Sequence, residues 1–202
     1  MPSSDSPQAS KSIIHCLIRH VASQITPESL ITIMHVSNST YLRFLHDLMV
    51  HLVIHQTNVH VLDFHRSIKF LYLQHALRRK ECNLSECMKR LQLRVILDGD
   101  HALNEYRRLH QQLKTQETLT AVFLVNPSKL FSRLKGSVKQ AASTLQFQYE
   151  IAEVLASEGN AVIVTDVGGR QFHRAEALVP AQLAKFSKLI LQFLPQQILL
   201  SR

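Results

Sequence analysis

Leu30-Ile31-Thr32-Ile33-Met34-His35-Val36-Ser37-Asn38-Ser39-Thr40 decides how this chain folds. Its first seven residues form a compact apolar run rich in β-branched side chains, the composition of a buried strand. Immediately beyond Thr40, residues 41–56 place Leu42, Leu45, Leu48, Met49 and Leu52 on one helical face. At such a strand-to-helix passage a phosphate-binding α/β protein keeps a Gly-rich loop and a Lys. Glycine lets consecutive backbone N–H groups face the phosphates, and the Lys neutralises them. Ser37-Asn38-Ser39-Thr40 offers hydroxyls but neither glycine nor Lys. An α/β protein with no phosphate cradle of its own is expected.

Working outward, residues 59–63 form a second short strand ending in Asp63, followed by helical periodicity over 67–79 and again over 85–91. Residues 93–97 read as a third strand, Asp100-His101 as the N-cap region of a helix over 102–113, and 121–125 as a fully buried fourth strand. A long amphipathic helix over 138–158 closes at Gly159, and a fifth strand over 161–165 opens into Asp166-Val167-Gly168-Gly169-Arg170. Upstream, Ile13, Ile14, Leu17, Ile18 and Val21 recur at helical spacing before Pro27. Past Arg174 the pattern admits either two closing strands, 188–193 and 197–201, around Pro195 or one helix over 181–194, and a helical turn followed by a terminal hairpin is the favoured expectation. Strands alternating with helices imply a mostly parallel sheet flanked by helices on both faces. Residues 1–10, Ser/Pro-rich and polar, are expected to be disordered, and 11–202 to form a single domain.

Composition narrows the function classes. A length of 202 residues suits one domain with a real core, and 46% apolar residues with 6% aromatic, no Trp and five Gly argue against an all-β or low-complexity chain. A formal charge of +8 favours an anionic partner, nucleic acid ahead of a membrane surface. Three cysteines without a framework spacing predict free thiols in a reducing compartment. No run approaches the roughly 18 uninterrupted apolar residues of a membrane span, so a soluble intracellular protein is expected.

Several motifs taken together carry a resemblance. They are Asp63-Phe64-His65-Arg66, Val95-Ile96-Leu97 with Asp100-His101, Ala121-Val122-Phe123-Leu124-Val125-Asn126, and Ala161-Val162-Ile163-Val164-Thr165-Asp166-Val167. In content and spacing, over roughly residues 28 to 175, the chain resembles the RecA-like core of the Rad51/RadA recombinases, and most closely a small Rad51 paralog or a Shu-type accessory subunit. The resemblance implies a RecA-like α/β fold, here without the recombinase's N-terminal helical domain or a Phe-x-x-Ala polymerisation tag. It makes Ser37, Asn38, Ser39, Thr40 and Asn126 a degenerate nucleotide site, since Asn126 stands where the family keeps its metal-binding Asp. No catalytic residue, no metal and no cofactor of its own are expected, with ATP bound by a partner at a shared interface. The partners implied are another Rad51 paralog in a heterodimer, Rad51 recombinase and single-stranded DNA, without a membrane, in homologous recombination repair in the nucleus.

Two segments are the expected DNA contacts. Lys129, Arg133, Lys135 and Lys139 put four cations into eleven residues beside Gly136 and three Ser, a composition suited to phosphates. Gly168-Gly169 supply mobility, Arg170 and Arg174 charge, and Phe172 a ring for a base. The helix carrying Ile13–Val21 is the expected docking contact for the partner paralog. His51 and His55 stand at the i, i+4 spacing of metal ligands but lack a completing carboxylate, and His75, Cys82 and Cys87 lack a closed four-ligand pattern, so no metal is expected at either. The rival function is a metal-dependent phosphohydrolase. It uses Asp63, Asp98, Asp100 and Asp166, with His65 and His101, at the strand ends, where parallel sheets form a crevice.

Overall fold

Successive side chains of a strand point to opposite faces, so a run that is apolar throughout needs cover on both. The computed structural model describes residues 7–36, 39–80, 82–116, 118–129, 138–167, 181–194 and 197–201, with helix side chains from 13, from 146 and from 184 in the three helices that adjoin undescribed segments. Strands β1 (Leu30–His35), β4 (Thr120–Val125) and β5 (Ala161–Val167) are buried over nearly their whole length at the centre of a seven-stranded sheet. With β2 (Asn58–Asp63), β3 (Leu91–Val95), β6 (Leu189–Phe193) and β7 (Ile198–Ser201), the order is β3-β2-β4-β5-β1-β6-β7. Every neighbouring pair is parallel except β6 with β7, which close the sheet as the expected hairpin.

The two faces have separate cores. Ile31, Ile33, Val61, Phe123 and Ile163 pack beneath α1 (Pro7–Gln24), α2 (Ser39–Ile54), α3 (Phe70–Arg78) and α4 (Leu84–Arg90). Leu62, Val122, Leu124, Val162 and Val164 pack beneath α5 (Gly99–Leu113) and α6 (Val138–Ser157). A short α7 (Ala181–Phe186) precedes β6. The chain is thus an α/β protein whose mostly parallel sheet is flanked by helices, consistent with a RecA-like fold.

Several boundaries differ from those expected, two of them because of local polar bonds. The third helix starts at Phe70 rather than Ser67 because Asp63 accepts the N–H groups of His65 (3.0 Å) and Ile68 (2.8 Å), holding the intervening loop. His46 finishes that arrangement: its Nδ1 lies 2.6 Å from Leu42 O, and its Nε2 accepts the Lys69 N–H at 3.1 Å, one residue before the helix. β3 begins at Leu91, two residues early, because that buried side chain joins the α2–α4 core directly at the end of α4. Asp98, rather than Asp100, caps α5: its carboxylate accepts the His101 N–H at 2.8 Å. β5 continues to Val167, paired with β1 as far as His35. α1 starts at Pro7, so residues 7–10 are helical. The apolar face of α1 is spent internally: Ile14, Ile18 and Val21 are buried in the core, leaving Ile13 exposed.

Candidate site at the carboxyl ends of β1, β4 and β5

Parallel sheets place their functional side chains where strands end. Here three central strands end in polar residues that are all buried: His35 on β1, Asn126 just past β4, and Thr165 and Asp166 on β5. Asn126 is held in place by its backbone, whose N–H donates to Thr165 O at 2.7 Å, and has φ 57°, a left-handed conformation that Asn tolerates better than most residues. Its side chain is then engaged at both ends. Oδ1 accepts from His35 Nε2 at 2.8 Å, reaching across the end of β5, and Nδ2 donates to Ser67 Oγ at 2.9 Å.

That contact fixes His35 as the Nε2–H tautomer, and its buried Nδ1 has no hydrogen-bond partner among the described residues. Burial, with a smaller contribution from the Lys129 charge, pulls the His35 pKa down to about 4. The ring stacks on Tyr41 with centroids 3.6 Å apart and planes 8° from parallel, and the Tyr41 hydroxyl donates to Thr165 Oγ1 at 2.7 Å. Burial pushes the Tyr41 phenol well above its ordinary range. Tyr41 sits in the first turn of α2, so the helix that would follow a phosphate loop is anchored to β5 by a side chain instead.

Asp166 points to the other face. It accepts from the Ser128 hydroxyl and N–H and from the Tyr149 hydroxyl on α6 (3.2 Å), and its own burial raises its pKa to about 6 against the pull of those donors. The result is a buried polar cluster in which the residue just past β4 is a neutral amide whose oxygen and nitrogen are both hydrogen-bonded within the protein.

No protein-family model matches the chain, and none of the curated proteins matches it.

Of the residues expected to handle nucleotide, Asn126 lies in this cluster and Ser39 and Thr40 are exposed in the first turn of α2. Ser37 and Asn38 lie outside the described residues. Of the expected DNA contacts, Lys129 is half-buried beside the cluster, with its N–H on Asn126 O at 3.0 Å. Arg133, Lys135, Arg170, Phe172 and Arg174 lie outside the described residues; Lys139 is in α6, its side chain likewise outside.

The acidic set is dispersed. Asp63 is spent on the loop after β2, Asp98 on the α5 cap, and Asp166 on Ser128 and Tyr149, with β4 lying between the strands of Asp63 and Asp166. Among the described residues no three His, Cys, Asp or Glu side chains gather as metal ligands. His51 and His55 lie with ring centroids 4.3 Å apart. Among the described residues, no helix is long and apolar enough to cross a membrane.

His35, Tyr41, Ser67 and Tyr149 complete the cluster and were not singled out by the sequence. The available signal was a lone histidine ending a central strand whose one other polar residue is Thr32.

Proposed function

We propose that this chain is a non-catalytic subunit resembling the Rad51 paralogs, which pairs with another paralog and promotes or stabilises Rad51 filaments on single-stranded DNA in homologous recombination repair. One observation carries the reading. At the end of β4, where the resembled family keeps a metal-binding Asp, Asn126 is uncharged and both of its side-chain polar atoms are bonded within the protein. A divalent ion with its phosphates needs anionic oxygen there. A RecA-like sheet that has exchanged this carboxylate for a structural amide serves as a partner: ATP belongs to the second paralog, at an interface this chain completes from the side. The +8 charge and the basic segment from Lys129 to Lys139 suit a nuclear protein that contacts single-stranded DNA. The phosphohydrolase alternative needs carboxylates with free lone pairs, and the engagement of Asp63 and Asp98 with backbone weighs against it.

The test is affinity purification of the tagged full chain from native nuclear extract, with mass spectrometry of what accompanies it. Recovery of a Walker-motif RecA-type ATPase, with Rad51 in the same fraction, is expected. A chain that elutes without any RecA-type protein removes the basis of the proposal.

A further inference from the structure

At the opposite end of the sheet, where strands begin, α1 and α2 part to leave a groove of about 930 Å³. The buried Ile18, Val50 and Leu52 form its aliphatic floor beside the half-buried Ile54, and Leu119, preceding β4, also lines it. The polar lining is one-sided in charge. Arg19, Arg43 and Lys80 carry permanent positive charge, His15, His51 and His55 are imidazoles, and Asp47 is the one carboxylate among the lining residues. Asp47 already faces Arg43 at 3.8 Å. Burial first, and then His55, His15, Arg19 and Lys80, disfavour the charged form of His51, and Asp47 offsets part of the positive charge through Arg43, Lys80 and His15. An occupant that brought carboxylates would balance the three permanent cations against which the groove sets a single carboxylate, while covering its aliphatic floor.

We propose that the α1–α2 groove docks an acidic amphipathic helix of a partner protein, with the apolar side chains of that helix against Ile18, Val50 and Ile54 and its flanking Asp or Glu residues against Arg19, Arg43 and Lys80. Charge complementarity selects an acidic occupant, and the aliphatic lining selects a helix. An amphipathic helix presents apolar anchors at i, i+3/i+4 and i+7 with charges on either side. A nucleic-acid strand would want aromatic faces for stacking, and the lining holds no Phe, Tyr or Trp. The groove adjoins Thr57 and Leu119, which precede β2 and β4, and so lies away from the Asn126 cluster at the other strand ends. Occupancy of one leaves the other open, and the inference stands independently of the recombination reading.

The experiment uses the full chain and a fluorescent peptide of about four helical turns, with Leu at the anchor positions and Glu on both flanks. Its controls are the same peptide with Lys for Glu, and a thymidine oligonucleotide. Saturable binding of the Glu peptide is expected, with the Lys peptide weaker by about tenfold, and a double reversal of exposed rim residues, R19E/K80E, should cost the Glu peptide about tenfold. The same double variant should regain affinity for the Lys peptide, a rescue that misfolding does not produce. Any of these results overturns the proposal: no saturation by about 1 mM peptide; equal affinity for both peptides; displacement of the peptide by the oligonucleotide, which would make the groove a nucleic-acid surface; or a dimer in sedimentation that R19E/K80E dissociates, which would make a second copy the occupant. Tighter peptide binding by about tenfold after removal of residues 1–6 would assign the groove to the chain's own start and likewise overturn it.

Discussion

At Asn126 two demands meet in one side chain: a left-handed backbone, φ 57°, and hydrogen bonds to His35 and Ser67. Asn126→Ala removes both bonds, strands the buried His35 N–H and keeps a Cβ at positive φ, so a loss of about 2–3 kcal/mol is expected in urea denaturation. Asn126→Gly loses the same bonds but relieves the backbone, and should be about 1 kcal/mol less damaging than the Ala variant. Equal losses would mean that the backbone carries no strain. Titration gives a second test. Burial lowers His35 from 6.5 to about 4, so between these values the unfolded chain holds more protons and stability rises with pH. Burial raises Asp166 from 3.8 to about 6, so there the folded chain holds more protons and stability falls as pH rises through that window. Asp166→Asn should therefore steepen the rise of stability between about pH 4.5 and 6, and His35→Gln should flatten it, each by at most about 1.4 kcal/mol per pH unit. Denaturation midpoints across that range decide the matter; parallel profiles for both variants would contradict the burial of these groups.

Among the elements, the helices and central strands follow from periodicity, and the misplaced starts of α3 and α5 fall where a side chain bonds backbone. Gly159, read as the stop of the long helix, has φ 89° just beyond α6. The α5 start shows the contrary case, because Asp98 and Asp100 both satisfy the local preference for a cap, and only the observed bond from the His101 N–H to Asp98 selects between them. Asp98→Ala should cost about 1 kcal/mol, and Asp98→Asn, which keeps the accepting oxygen, should be nearly neutral. The same pair separates the cap from a metal ligand: an Asp98 that held a divalent ion would lose that ion in both variants, as calorimetric titration with Mg²⁺ or Mn²⁺ would record. The late start of α3 has a similar origin, since the helical pattern from residue 67 is interrupted by the Asp63 carboxylate taking the Ile68 N–H.

For the whole molecule, one measurable consequence of the positive balance is tested with DNA. If Lys129, Arg133, Lys135 and Lys139 each neutralise one phosphate of a single strand, affinity should fall about 50-fold between roughly 50 and 200 mM salt, and the fourfold Ala variant should lose most of that dependence. Fluorescence anisotropy with a thymidine oligonucleotide measures both slopes, and an unchanged slope in the variant would move the contacts elsewhere on the surface. The chain's own order of residues determined the α/β class, the succession of strands and helices as far as β5, and the absence of glycine and Lys from Ser37-Asn38-Ser39-Thr40 after β1. Periodicity and turn chemistry are local, and burial demands them whatever the neighbours. Only the tertiary structure decided that β5 lies between β1 and β4, that His35 meets Asn126 across 91 positions of chain, and that Tyr41 on α2 anchors to Thr165. Nothing local encodes such pairs, because a polar side chain at the end of a buried strand takes whichever partner the crossover connections bring within hydrogen-bond reach.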